Sequence, residues 1–160
     1  MLTPRQWFAI FFAIALVIFL LFQLPYFNPG SPSNRDLKQA GSADAVQKIF
    51  LKWGGTGKAA ASHNLMLDWF FIIVYASMWI AASRSFWPER GLTKLALAAG
   101  LAGAAADVGE NVCLWMMLNG EVTDQIAQAC KHVSAINVAL FFLTALYFLI
   151  AGIASAFSRR

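Results

Sequence analysis

The sequence predicts an all-α membrane protein, a bundle of four transmembrane helices with an amphipathic helix in the first loop. Two observations favour this class. The 160 residues are 59% hydrophobic and only 12% charged, whereas a soluble domain has about one quarter charged residues. In addition, four separate stretches come close to the roughly 20 apolar residues that a membrane-spanning helix needs. A chain of this length is expected to form a single integral membrane domain.

The four predicted spans are separated by residues that end helices. The spans cover approximately residues 7–24, 61–83, 92–118 and 132–157. The first is expected to end at Pro25, Pro29 and Pro32, and the segments FWPERG and NGEVTD separate the later ones. The first span is longer than the apolar core of a usual signal peptide, and no small-residue cleavage site follows it directly. We therefore expect it to be retained as a helix in the membrane.

The extramembrane loop 25–60 contains the predicted amphipathic helix, approximately residues 43–53. Ser42 is a suitable N-cap, and one helical face carries four apolar residues, Val46, Ile49, Phe50 and Trp53. Two interpretations are open: the helix lies on the lipid headgroups, or it forms a lid packed on the end of the bundle. The GGTGKA stretch that follows departs from the phosphate-binding pattern. It is interpreted as a break between helices, and no nucleotide ligand is expected.

The distribution of basic residues predicts the orientation in the membrane. The net charge is +4, but the basic residues lie between apolar stretches, so they indicate topology and headgroup contacts and not a nucleic-acid interface. Both termini and the second loop are expected in the cytoplasm because of Arg5, Arg84, Arg90, Lys94, Arg159 and Arg160. The first loop also carries basic residues, which would favour a cytoplasmic position for it instead, but long loops count less in this rule. They are Arg35, Lys38, Lys48, Lys52 and Lys58.

Polar residues inside spans two to four indicate a buried site. Asp107, Glu110 and Asn111 have the spacing i, i+3, i+4 and share one face of the third span. That face continues into a strip of small residues, which lets helices approach closely in membranes. We expect it to meet polar residues of the neighbouring spans at a similar depth. The predicted ligand-binding site therefore comprises Asp68, Tyr75, Asp107, Glu110, Asn111 and Asn137.

The three acids need a physical explanation, because a charged side chain at the centre of a span costs about 2.5–3.5 kcal/mol on insertion scales. Spans two to four have no Lys or Arg in their interiors, so no basic partner is expected. Three solutions are open. The acids are protonated, they bind a cation, or they are ionised at the floor of a water-filled cavity and hydrogen-bonded there.

Several functions are compatible with such a site. The leading hypothesis is binding of a lipid headgroup or another small ligand. Alternatively, the polar cluster is structural, in an accessory or assembly subunit of a larger membrane complex whose partners are lipids and other subunits. A cation or proton pathway is a further interpretation. The chain could also be an intramembrane enzyme that modifies lipids, with Glu110 as general acid or base. No cofactor motif is visible, and the sequence leaves open whether the protein is an enzyme.

Metal and disulfide chemistry are further alternatives. A metal site would combine Asp68 and Glu110 with His63 and His132, but their spacing does not match the Glu-x-x-His pattern of carboxylate-bridged metal centres. Cys113 and Cys130 are expected near the same membrane face. They form no CxxC motif, and either a disulfide or two free thiols would fit.

The stretch from about Ala43 to Asn111 resembles a group of small bacterial four-span membrane proteins. The similarity is carried by the run WGGTGKAAA, the pair Asp68 and Tyr75, and the ADVGEN element in the third span. The resemblance implies a four-helix bundle in a bacterial inner membrane. It implies no particular activity.

Overall fold

The computed structural model describes residues 2–22, 34–87 and 89–157, and these ranges contain helices and no strand. The helices are α1 (Pro4–Phe22), α2 (Asn34–Ala40), α3 (Ala43–Ser85), α4 (Gly91–Leu118) and α5 (Asp124–Phe157). Four of them, α1, α3, α4 and α5, are long and apolar enough to cross a membrane. Outside the described residues lie five that the sequence analysis used: Pro25, Pro29, Pro32, Arg159 and Arg160.

Hydroxyl side chains define where α1 and α5 begin. The Gln6 amide donates to Thr3 Oγ1 (3.3 Å) and the Thr3 amide donates to Gln6 Oε1 (2.8 Å), which is a capping box. The amide of Ile126 donates to Thr123 Oγ1 (3.2 Å) at the start of α5. Helix α5 therefore begins before the predicted span 132–157. Hydropathy identifies only the apolar part of a helix, whereas the N-cap identifies its first residue.

Helix α3 contains a sharp break at Gly54. This residue has φ 62° and ψ −166°, a conformation that is essentially restricted to glycine. The break lies in the GGTGKA stretch, where the sequence indicated one. It separates a short helical segment, 43–53, from the long segment 55–85. The Ala45 amide donates to Ser42 Oγ (3.3 Å), which confirms the predicted N-cap.

The apolar face of segment 43–53 packs against the ends of the long helices. Val46 and Phe50 are buried in one hydrophobic cluster, which also contains Leu37, Leu65, Leu114, Met117, Ala127 and Cys130. The Ala43 amide also donates to Asp124 Oδ1 (2.7 Å), which ties this corner to the start of α5. These contacts favour the lid interpretation of segment 43–53 over a helix lying on lipid headgroups.

Helices α3, α4 and α5 form the core of the molecule. Neighbouring helices in this core run antiparallel, because the end of each is joined to the next by a short loop. Helix α1 packs along α3, with the rings of Phe8 and Phe86 5.3 Å apart. Large apolar side chains such as Ile73, Leu95 and Phe142 are about two-thirds exposed on the outside. Such an apolar exterior is what lipid contact requires.

Candidate functional site

The acidic face of α4 is buried against α3, as its helical spacing predicts. Asp107 is 5% exposed, and Glu110 and Asn111 are fully buried. One carboxylate oxygen from each of Asp68, Asp107 and Glu110 lies within 4.8 Å of the other two. We call these three residues the carboxylate cluster. The structure thus brings together acids from two helices that are far apart in the sequence.

Tyr75 connects α3 to the carboxylate cluster. It lies seven residues after Asp68, so both side chains project from the same side of α3. The Tyr75 hydroxyl donates to Asp107 Oδ2 at 2.9 Å, and the tyrosine is almost completely buried. A buried carboxylate needs such a donor, because an unpaired one loses the stabilisation that water would provide.

Lys38 of α2 supplies a basic partner that the sequence analysis did not anticipate. Its ammonium group forms an ion pair with Glu110 Oε1, and the Glu110 side chain is 1% exposed. The expectation of acids without a basic partner was therefore wrong. It considered the spans alone, whereas Lys38 belongs to a short helix in the first loop that packs against α3, α4 and α5.

The surrounding acidic groups keep the Lys38 amine protonated. Burial alone would lower the pKa of the Lys38 amine. The negative charges of the carboxylate cluster, with Glu110 the strongest, outweigh this effect, so the pKa of Lys38 lies above its ordinary value of 10.5. Lys38 is consequently a permanent cation at physiological pH.

A cleft of about 520 Å³ opens beside the carboxylate cluster. Its polar lining residues are Asn34, Arg35, Lys38, Asn64, Asp68, Tyr75, Asp107 and Asn137. Its apolar lining residues are Phe19, Phe71, Val138, Phe141 and Phe142. The structure therefore places Asn137 at the cleft, whereas Glu110 and Asn111 lie behind its wall.

Three asparagine side chains at the site, Asn34, Asn64 and Asn111, have polar atoms without a hydrogen-bond partner within the described part of the chain. The fully buried Asn111 amide lies beside the Asp68 carboxylate and is placed to donate to it, whereas its Oδ1 atom has no hydrogen-bond partner. The Oδ1 atom of Asn64 also lacks a partner, and Asn64 is 7% exposed. Unpartnered buried amides are uncommon in proteins and require an explanation.

The histidines and cysteines lie elsewhere. His63 and His132 are exposed, and the group of side chains that could hold a metal ion contains Asp68, Asp107 and Glu110 but neither histidine. This arrangement does not support the mixed carboxylate and histidine site. Cys113 and Cys130 are free thiols that pack in the same hydrophobic cluster as Val46 and Phe50.

Sequence reasoning missed Lys38 and Asn64 for different reasons. Helix α2 has seven residues and one buried apolar anchor, Leu37, so hydropathy does not reveal its position. The unbalanced acids of the spans were the available signal that a loop lysine could fold inward. Asn64 lies four residues before Asp68, one helical turn away on the same side of α3. That spacing could have identified it.

The arrangement has a definite chemical capacity. It offers carboxylate and amide oxygens as acceptors, and Lys38 and Tyr75 as donors, beside an aromatic wall. Such a site can orient a polar group and exchange protons with it. No protein-family model, curated protein or solved structure was found to match the chain. The functional conclusion therefore depends on the site itself.

Proposed function

We propose that the protein binds the headgroup of a membrane lipid, or a small polar ligand of similar size, in the cleft beside the carboxylate cluster. One observation carries this proposal. A buried floor of charged and amide groups opens next to apolar rings on the outer surface. The cleft volume of about 520 Å³ falls in the range of about 300–1,000 Å³ that is usual for ligand sites.

The two sides of the cleft suit the two parts of a lipid. Phe19 is 53% exposed and Phe142 is 67% exposed, so acyl chains beside them would stay in contact with the bilayer. The headgroup would enter between Arg35 of α2 and Asp107 of α4. In this proposal Asp107 and Glu110 act through hydrogen bonds and charge, and Tyr75 holds Asp107 in position.

The helices that form the cleft are proposed to make a four-helix bundle in a bacterial inner membrane, with both termini in the cytoplasm. Basic residues near the N-terminus and around the second loop support this orientation, namely Arg5, Arg84, Arg90 and Lys94. Glu110 lies eight residues before the end of α4 at Leu118, about 12 Å along the helix. The cleft would then lie in the outer half of the bilayer, with α2 along its rim.

Native mass spectrometry of the gently released protein tests ligand binding. Wild type is expected to retain a lipid or a small molecule, and Asp107→Asn is expected to lose most of it. This substitution keeps the shape of the side chain and removes the charge. Glu121→Gln is the matched control, because Glu121 is an exposed carboxylate in the loop between α4 and α5.

Two outcomes would contradict the proposal. Equal ligand retention in Asp107→Asn and wild type, with only a lower unfolding temperature, would make the polar cluster structural. A protein without ligand that carries a stoichiometric protein partner in both samples would favour the accessory-subunit interpretation.

A further inference from the structure

The charges around the cleft are unbalanced. The carboxylate cluster contributes three acidic groups, and the cleft lining contributes two basic groups, Arg35 and Lys38. Lys38 is paired with Glu110, and its single positive charge also acts on Asp68 and Asp107, the two acids that line the cleft. A ligand that brought a positive charge to these two acids would reduce the cost of keeping them away from water. An anionic group would raise that cost.

The unsatisfied amides indicate which kind of cation fits. Asn64 lines the cleft and has a buried oxygen without a hydrogen-bond partner in the described structure. The fully buried Asn111 amide lies behind the cleft wall and is placed to donate to the Asp68 carboxylate, so the free acceptor that the cleft offers is the Asn64 oxygen. An ammonium group carries three N–H donors and no acceptor, so it can satisfy carboxylate and amide oxygens together. A quaternary ammonium has no N–H to donate.

Lys38 shows that a primary ammonium is compatible with this environment, since its own contacts Glu110. Aromatic rings add to the attraction. The Tyr75 ring packs against Phe71 and Phe141, with centroids 5.2 and 5.5 Å away, and all three residues line the cleft. The faces of aromatic rings attract cations.

We propose that the ligand of the cleft carries a primary ammonium group, and that in the membrane it is the headgroup of an amine-bearing phospholipid of the phosphatidylethanolamine class. This inference rests on the proposed function of the cleft. The ammonium lies between Asp68 and Asp107 and donates to Asn64. The phosphate lies toward Arg35 at the rim, where the basic side chain complements its charge. The acyl chains lie along Phe19 and Phe142.

Headgroup competition tests the inference. The full-length protein is reconstituted in vesicles that hold equal amounts of ethanolamine, choline and glycerol phospholipids with identical acyl chains. Native mass spectrometry then identifies the lipids that remain bound after release. Wild type is expected to enrich the ethanolamine lipid over the choline lipid about tenfold, which corresponds to about 1.4 kcal/mol. Asp68→Asn and Asp107→Asn are expected to lose this preference, and Glu121→Gln is expected to keep it.

A second arm distinguishes a lipid from a soluble amine. Free ethanolamine and phosphoethanolamine are added to protein in choline-only vesicles, and the unfolding temperature is measured. Stabilisation by the free amines, lost in Asp107→Asn, combined with no selection among lipids would assign the ammonium site to a soluble ligand and would overturn the lipid assignment.

The remaining outcomes separate this inference from the proposed function. Equal retention of ethanolamine and choline lipids, without an effect of free amines, would overturn the ammonium inference. The proposed function would stand if that binding still depended on Asp107. If Asp107→Asn fails to fold, the lipid preference of Asp68→Asn, a change at a half-buried position, and the lipid preference of wild type still test the inference. Absence of any bound lipid or amine would overturn both proposals.

Discussion

At the level of single residues, the first feature to test is the contribution of the buried ion pair between Lys38 and Glu110 to stability. Glu110 has no access to solvent, and its charge is balanced by a lysine from another helix. Removing one partner of a buried pair leaves the other charge without compensation, which typically costs about 3–5 kcal/mol. An exposed pair contributes about 1 kcal/mol or less, because water screens both charges. The described part of the chain contains one pair of each kind.

Lys38→Met is expected to lower the free energy of unfolding by about 3 kcal/mol, because Glu110 loses its counterion. Lys48→Met is the matched control. Lys48 pairs with Asp44 at 2.6 Å on the surface, where both side chains are about three-quarters exposed, so its loss is expected to be below about 1 kcal/mol. Unfolding in a mild detergent measures both values. Equal losses of unfolding free energy in the two variants would show that the buried pair stabilises the protein no more than the exposed pair.

The raised pKa of Lys38 predicts the pH dependence of this stabilisation. A group whose pKa is higher in the folded protein stabilises it fully below the ordinary pKa, here 10.5. That contribution is lost as the pH rises through the folded pKa. The difference in unfolding temperature between wild type and Lys38→Met is therefore expected to stay constant from neutral pH to about pH 10 and to narrow above it. A difference that narrows between neutrality and pH 10 would contradict the pKa shift.

Tyr75→Phe tests the hydrogen bond to Asp107. It leaves a buried acceptor without its donor, which is expected to cost about 1–3 kcal/mol. Tyr147→Phe removes a comparable hydroxyl. Its partner, Thr93 Oγ1, lies at 2.6 Å but also donates to the Trp87 carbonyl at 2.9 Å. This control is expected to cost about 0.5–1.5 kcal/mol, because Thr93 keeps a partner. A smaller loss for Tyr75→Phe than for Tyr147→Phe in thermal unfolding would contradict the assignment.

At the scale of elements, the close packing of α4 positions the acidic face. A Cβ atom at Gly100 would lie 2.8 Å from Trp79 Cδ1 and 2.9 Å from Thr144 Cγ2. Both distances are shorter than van der Waals contact, so α3 and α5 approach α4 closely at this glycine. The same helix carries a glycine without such a restriction. At Gly109 the nearest atom, Val133 Cγ1, would lie 3.5 Å from a Cβ.

Gly100→Ala is expected to destabilise the protein by about 1–3 kcal/mol, because the added methyl group forces neighbouring side chains apart. Gly109→Ala is expected to be neutral or to stabilise by up to about 1 kcal/mol, since alanine is the better helix former. The two variants make the same chemical change in one helix, and unfolding in detergent compares them directly. An alanine at position 100 that is as stable as one at 109 would contradict the packing described above.

The helical elements differ in how well the sequence predicted them. The predicted span 92–118 matches α4 (Gly91–Leu118), because its apolar content and its boundaries coincide. For α5 the apolar stretch begins after the helix does, since the Thr123 cap allows a polar first part. Segment 43–53 was predicted as a helix from its periodicity, but its packing partners come from α2, α4, α5 and the later part of α3. Local sequence contains no information about those partners.

At the scale of the whole molecule, the proposed orientation has a direct test. Gln47, on the helical segment 43–53, and Glu89, in the loop between α3 and α4, are exposed residues, and the proposal places them on opposite sides of the membrane. Gln47→Cys and Glu89→Cys are introduced into a chain in which Cys113 and Cys130 are replaced by alanine. A membrane-impermeant maleimide is expected to label position 47 in intact spheroplasts. Position 89 is expected to react only after permeabilisation. The reverse pattern would place both termini outside.

Several properties followed from the sequence by itself. They include the helical class, the four long apolar helices, and the shared face of Asp107, Glu110 and Asn111. The break at Gly54 also followed. These properties depend on hydropathy and on hydrogen bonds between residues a few positions apart. A pattern within one helix is therefore sufficient to predict them.

Tertiary structure alone decided how the charges are balanced. Lys38 and Glu110 are 72 positions apart in the sequence, and Asn64 joins the cleft because α3 lies against α4. Such contacts arise when helices pack, and no local pattern specifies which side chains then face each other. The ion pair forms because the acids of the carboxylate cluster lie among apolar helices, where an uncompensated charge is costly, and the packing of α2 against α3, α4 and α5 brings Lys38 next to Glu110.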